Sequence, residues 1–383
     1  MEKVAVAACT SYDPQEVLHA LEEAIVPIGG LDFVKPGMRV AVKVNLITAM
    51  RPQAAATTHP AVAAAMVRLL SQRGASVVIG DSPGGPFMAA NVLNAYRASG
   101  MKAVEEAGGS LNRNFDVVDV AFPQGVAAKR FAYTAWLSQA DAIVDLCKLK
   151  THGMMTMTAA VKNMFGAIPG LEKAAYHCRY SNRERFAQML VDLCAYSKPV
   201  LSVADAVVAM EGNGPTQGKP RAIGALLAST CPHSLDLACA HLIGLTPGDV
   251  PTLSVALQRG LIGQTVRELE IIGDLERFVC PNFDVVRRAR GIAFYSSSDG
   301  DKKGVLERVA RVAVEMKPGV TKEQCTGCGK CASVCPVHAI AMRAGTPHID
   351  RKTCIRCFCC QEFCPAGAMK AKRSVLARIL QDR

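Results

Sequence analysis

Two cysteine runs near the carboxyl terminus constrain this chain more than any other feature. The first reads Cys325-x2-Cys328-x2-Cys331-x3-Cys335-Pro336, and the second Cys354-x2-Cys357-x2-Cys360-x3-Cys364-Pro365. The second repeats the first at an offset of 29 residues, proline included. Three thiolates within seven residues can wrap one face of a small inorganic cage while the loop's N–H groups point at its sulfurs. The fourth ligand then has to come from elsewhere in the chain.

The spacing is that of bacterial ferredoxins with two [4Fe–4S] clusters, in which the fourth cysteine of each run ligates the other cluster. One cluster is therefore expected on Cys325, Cys328, Cys331 and Cys364, and a second on Cys354, Cys357, Cys360 and Cys335. A pair of four-cysteine zinc sites is the competing reading, but zinc ribbons pair two C-x2-C knuckles and have no use for a third cysteine two residues on. Cys359 falls outside the repeat and reads as a packing residue or a neighbour of the ligands. The seven other cysteines are scattered singly, as small buried hydrophobes usually are. A disulfide framework is not expected at this length without a secretory leader.

Net charge follows the same division. Residues 317–383 carry 12 of the 44 Lys/Arg but only 4 of the 33 Asp/Glu, a surplus of +8, against +3 for the rest. Ligating thiolates leave each oxidised cluster at about −2, which offsets about half of that surplus. The remainder suits a solvated surface or a docking face for an acidic partner. A broad nucleic-acid surface is not indicated. No apolar run reaches the ~18–20 residues a membrane helix needs. The start, MEKVAVAACTSYDP, lacks the basic and apolar regions of a secretory signal, so a cytoplasmic protein is expected.

Residues 1–316 read differently. Short apolar runs rich in β-formers, VAVAA (4–8), RVAVKV (39–44), ASVVIG (75–80), AIVDL (142–146) and PVLSVADAV (199–207), alternate with helical patterns at 14–26, 60–74 and 184–197. Pro60 opens the second helix and Gly74 closes it. The expected fold is an α/β domain, a mostly parallel sheet with covering helices, followed at 317–372 by a small α+β module like bacterial ferredoxin. A helical tail is expected at 373–383, with Val375, Leu376, Ile379 and Leu380 on one face.

Ligands in such sheets bind beyond the carboxyl ends of the strands. Lys43 and Asn45 follow one strand, and Asp81 in GDSPGG another. Lys148, Lys150, His152, Lys162 and Asn163 follow a third, and Asn213 in EGNGP a fourth. Each loop taken alone is also what an ordinary turn uses. Met154, Met155 and Met157 read as core packing. Lys148 and Lys150 either bind an anion or pair with a carboxylate such as Asp145 or Asp205, since a buried lysine is costly unless paired.

The segments KVNL (43–46), THP (58–60), GDSPGG (80–85), KLKTHG (148–153), VKNMFG (161–166), MEGNGP (210–215) and CIRCFCCQEFCP (354–365) make the chain similar to the iron–sulfur branch of the family called domain of unknown function 362. The resemblance marks the strand-end loops as the site without assigning roles. The functional expectation is an iron–sulfur oxidoreductase taking single electrons from a redox partner protein. His152, Lys150, Lys162 and Asn163 are the catalytic candidates for a small anionic substrate. His152 is the proton donor, and Asn45, Asp81 and Asn213 orient the substrate. The alternative is a ferredoxin-like carrier whose α/β body only docks to a partner or helps assembly.

Overall fold

A computed structural model describes residues 1–285 and 317–372. The chain divides into two compact units, Met1–Val285 and Val286–Arg383. The expected boundary at 316/317 borders residues outside this description, and the expected helical tail at 373–383 lies outside it altogether.

The strands of the first unit are β1 (Lys3–Ala8), β2 (Arg39–Val44), β3 (Ser76–Gly80), β4 (Ser110–Leu111), β5 (Val117–Ala121), β6 (Arg130–Thr134), β7 (Ala142–His152), β8 (Thr156–Thr158), β9 (Leu201–Asn213), β10 (Gln217–Ser229) and β11 (Glu270–Ile272). Nine form one sheet in the order β11-β1-β10-β9-β7-β2-β3-β4, with β8 beside β7. The block from β9 to β4 is parallel throughout. β10 runs antiparallel to both β1 and β9. The mostly parallel sheet is thus as expected, while β10 is an addition: its residues, QGKPRAIGALLAS, begin polar and glycine-rich and resemble a loop until halfway along.

Both faces of the sheet are covered. Along β7 and β9, Val144, Leu146 and Val203 pack with Val17, Leu21, Val62 and Met66 of the helices Pro14–Ile25 and Pro60–Gln72. Cys147, Leu149, Ala204 and Ala206 face the other way, onto Leu235, Ala238 and Leu242 of the helix Pro232–Leu242. Strands buried on both sides read as unbroken apolar runs, which is why they stood out in sequence. Helix starts are fixed locally. The Asp13 carboxylate accepts from the N–H groups of Gln15 and Glu16, the Asn182 amide oxygen accepts from those of Glu184 and Arg185, and the His59 ring accepts from that of Ala61.

Two expected loops are strand. β7 runs on through Lys148, Lys150 and His152, and β9 through Met210 and Glu211 to Asn213. Pairing explains both extensions: β8 folds back on β7 with Lys150 opposite Thr158, and β10 folds back on β9 with Gln217 opposite Asn213.

The second unit is built from β12 (Lys317–Val320), β13 (Ile340–Arg343), β14 (Thr346–Ile349) and β15 (Met369–Lys372), with one-turn helices at Lys330–Ser333 and Cys359–Glu362. β12 pairs antiparallel with β15 and β13 with β14. Its core is small and largely sulfur: Cys331, Cys335, Cys360 and Cys364 pack with Ala339, Ile340, Ala368 and Met369.

Candidate functional site

Strand order locates the first site. From β2 the chain steps outward to β3 and β4, then returns to the opposite side of β2 as β7 and continues to β9. The order reverses between β2 and β7, and the crevice beyond the carboxyl ends of such a pair is where α/β sheets bind ligands. Lys43 stands opposite Asp145 in that pairing, and Val44 opposite Leu146.

A buried polar network fills this position. The Lys43 ammonium donates to Asn163 Oδ1 at 2.9 Å and to the Val44 carbonyl at 2.7 Å, and lies 3.0 Å from Asp81 Oδ1. The second Asp81 oxygen accepts from Leu46 N–H at 2.7 Å. Asn163 Nδ2 donates to Asp145 Oδ1 at 2.6 Å, and Asn45 Nδ2 donates to Asn163 Oδ1 at 3.0 Å. Asn45 Oδ1 in turn accepts from Lys150 Nζ at 2.6 Å, and the same ammonium donates to the Ala56 carbonyl. Lys43 is 0 % exposed and Lys150 1 %, so nearly all their hydration has been exchanged for protein partners. Gly166 makes room for this. A Cβ there would fall 2.0 Å from Asp81 Oδ1 and 2.4 Å from Lys43 Cε.

Asp145 has its carboxyl pushed up to about 7, chiefly by burial, against the opposing pull of Asn163 and Lys43. Asp236 is raised to about 8, again by burial. It accepts from Ala160 N–H at 2.6 Å and Val161 N–H at 3.3 Å, holding the short helix Ala160–Asn163 that delivers Asn163.

Lys148 belongs to a second cluster. Its ammonium donates at 2.8 Å to both Asp205 Oδ2 and the Tyr12 hydroxyl, which itself donates to Asp205 Oδ1 at 2.9 Å. Asp205 also accepts His59 N–H at 3.0 Å, and the His59 ring stacks on Tyr12 with centroids 3.5 Å apart. Burial lowers the His59 pKa to about 4, so the imidazole is neutral near pH 7. The pairing expected for Lys148 with a carboxylate is therefore present, whereas Lys150 reaches into the strand-end network.

The remaining candidates are placed as follows. His152 is buried at the turn from β7 to β8, and its Nδ1 accepts from the N–H groups of Met154 at 3.0 Å and Met155 at 3.2 Å. Lys162 Nζ lies 5.5 Å from the centre of the Phe165 ring. Asn213 ends β9 opposite Gln217. Met154, Met155 and Met157 are buried, as expected of packing residues. Sequence reading missed Tyr12, Asp236 and the network role of Asp145. A single tyrosine before a helix and an aspartate inside an apolar helix carry no spacing signal.

The second site is the pair of cysteine runs. Cys325, Cys328, Cys331 and Cys364 line one cavity with Met342 and Pro347. Three of these sulfurs come from the first run and one from the second. Burial raises the Cys360 thiol first, and the neighbouring thiols of Cys357, Cys354, Cys335 and, from the other group, Cys331 raise it further. The backbone repeats at the same 29-residue offset as the sequence. Positive φ occurs at Gly327, Gly329 and His338 in the first run and at Arg356, Phe358 and Gly367 in the second. Ala339 N–H donates to Cys335 Sγ and Ala368 N–H to Cys364 Sγ, each at 3.2 Å. Cys359 is buried with its thiol held well above its ordinary pKa by its hydrogen bond to Cys357. It remains an S–H donor toward a ligand sulfur, in keeping with its place outside the repeat. Four sulfurs around a cavity, with N–H donors on the outer cysteines, fit a thiolate-held [4Fe–4S] group, which supplies one-electron redox chemistry when bound.

The model described as domain of unknown function 362 matches residues 40–241, more than half of the chain. The chain belongs to this family. Every residue of the strand-end network falls within that span. A 4Fe-4S dicluster domain matches residues 317–365, which contain both cysteine runs. The second unit of this domain of unknown function 362 protein is a ferredoxin-type module that binds [4Fe–4S]. A curated relative, the thylakoid-associated protein of Synechocystis sp., is 34 % identical over 268 residues, covering 68 % of this chain and 80 % of its own. Among solved structures, the lactate racemase apoprotein of Thermoanaerobacterium thermosaccharolyticum aligns with TM-score 0.42 and 14 % identity over 64 % of this chain. A protein of Thermotoga maritima aligns with TM-score 0.34 and 13 % identity over 55 %. The chain spans 58 % and 54 % of those two structures. No helix among the described residues is long and apolar enough to cross a membrane.

Proposed function

We propose that the protein is an iron–sulfur oxidoreductase that holds two [4Fe–4S] clusters and delivers single electrons to a small anionic substrate at the carboxyl ends of β2 and β7. The observation that carries the cluster assignment is the cavity lined by Cys325, Cys328, Cys331 and Cys364, a quartet drawn from both runs. Cys354, Cys357, Cys360 and Cys335 form the other quartet. A redox partner protein supplies the electrons, and the reading places the chain in the cytoplasm, where thiolates stay reduced.

In the body, Lys150 and half-buried Asn45 take the substrate's negative charge and orient it, and Lys43 and Asn163 hold Asn45 in place. His152, whose Nδ1 accepts from two backbone N–H groups and so leaves the ring proton on Nε2, keeps the proton-donor role, and Asp145, its carboxyl pushed up to about 7 by burial, joins it as a proton-handling candidate. Lys162 remains a catalytic candidate beside Asn163.

One observation favours the second reading, a carrier whose body only docks: Lys43, Lys148 and Lys150 are all buried against protein partners. A single experiment separates the two. Anaerobically reduced protein is mixed with a panel of small anionic acceptors, and reoxidation is followed by absorbance for wild type and Lys150→Gln. An oxidoreductase shows at least one acceptor whose reoxidation slows on the order of tenfold or more in the variant, the loss expected when a charge-assisted contact is removed. Equal rates with every acceptor refute catalysis and leave the docking role.

A further inference from the structure

The two cysteine loops share a backbone path and differ in what they carry on it. At equivalent positions the first has Thr326, Gly327, Gly329 and Lys330, and the second has Ile355, Arg356, Phe358 and Cys359. Gly327 and Gly329 adopt φ of 70° and 71°, and Arg356 and Phe358 adopt 58° and 62°. Glycine enters this left-handed region freely, whereas residues with a side chain are uncommon there. The second loop therefore keeps two side chains where the first has none, against the conformational preference of both.

Exposure differs accordingly. Thr326, Gly327, Cys328 and Lys330 are exposed, whereas Cys357, Phe358, Cys359 and Cys360 are buried. Cys328 is thus an exposed residue within a ligand run. Lys322 and Lys330 are exposed on either side of it along the chain, with Glu323 exposed beside Lys322, and Arg343 is exposed on the β13–β14 hairpin, whose Gly345 carbonyl approaches Gly327. Electron exchange between proteins favours a thin, bare edge, and cations around it steer a negatively charged partner.

We propose that the two quartets are unequal: Cys325, Cys328, Cys331 and Cys364 form the port, and the clad second quartet is an internal store. The port docks an acidic one-electron carrier protein at the Thr326–Lys330 loop. With a cluster held on each quartet, one electron would leave the carrier's reduced centre for the group held by Cys325, Cys328, Cys331 and Cys364 and pass on to the group held by the second quartet, the first returning to its oxidised level with no proton or bond change. This inference rests on the two-cluster assignment.

The test uses the full chain, reconstituted and reduced anaerobically, with iron counted first. A hydrophilic chelated dysprosium is titrated in while the reduced-state paramagnetic resonance signals are recorded. One signal relaxes at low dysprosium and the other resists, with the midpoints separated at least several-fold. Phe358→Gly, which restores the glycine of the first loop, brings the resistant signal toward the sensitive one. Lys322→Glu/Lys330→Glu tests the port on an unaltered ligand set. It slows reduction by an acidic flavin-carrier protein at least several-fold at low salt and leaves reduction by a neutral photoreduced flavin unchanged. With about eight irons per chain, equal relaxation of both signals, or charge reversal without effect on the acidic carrier, overturns the inequality while the two clusters stand. About four irons per chain overturns the two-cluster assignment itself, and this proposal with it.

Discussion

Cys364→Ser is expected to remove the centre of the first run, although Cys364 lies in the second. After anaerobic reconstitution the iron content drops by about half, from about eight to about four per chain, because one of two four-iron centres loses a thiolate. Paired substitutions read the connectivity directly. Cys325→Ser with Cys364→Ser strikes one quartet twice, so the double variant keeps about four irons, like either single change. Cys354→Ser with Cys364→Ser strikes both quartets, and iron falls toward zero. If each run ligated its own cluster the two doubles would exchange outcomes. The structural ground is the cavity shared by Cys325, Cys328, Cys331 and Cys364. Metal affinity is also folding energy in so small a module. Among the described residues, half of its buried core is cysteine, with Ala339, Ile340, Ala368 and Met369 beside it, so the stripped variants should melt at markedly lower temperature, as differential scanning calorimetry would record.

The second large effect is expected at Lys43→Met. The ammonium is 0 % exposed and satisfies Asp81, Asn163 and a backbone carbonyl. Methionine fills much of the same volume, so packing loss is small, but the Asp81 carboxylate is left buried beside it without its cation. Removing one partner of a buried pair costs about 3–5 kcal/mol, whereas removing both is far milder. Urea unfolding should show Lys43→Met destabilised by roughly that amount, and Lys43→Met/Asp81→Asn recovering much of the loss. A cost below about 1 kcal/mol for the single change, the value of an exposed ion pair, would mean that this pair does not hold the strand ends.

The two sites differ in how far sequence revealed them. The cysteine repeat declared its chemistry by spacing alone, because a cubane imposes the same loop on any chain that holds it, and the backbone repeats at the same offset. The parallel strands were legible because burial on both faces leaves uninterrupted apolar runs. β10 was not, since its first half pairs only along the half-buried end of β9 and keeps a polar composition. The strand-end network was half legible. Lys43, Asn45, Asp81, Lys150 and Asn163 announced themselves as polar residues at the ends of apolar strands. Lys148, on the same strand as Lys150, falls instead in the cluster with Asp205, across a register shift in the β7–β9 pairing that composition does not reveal. Asp145 read as an ion-pair partner, yet its direct bond is to the amide of Asn163, and burial holds its proton. Tyr12 and His59 meet from separate segments, and only the folded chain stacks them.

The claim on which the rest depends is that the two quartets hold two four-iron cages. Iron and acid-labile sulfide counted together on anaerobically reconstituted wild-type protein test it most directly. The account predicts about eight of each per chain, with two paramagnetic centres in the reduced state. About four of each, or zinc without sulfide, would contradict it.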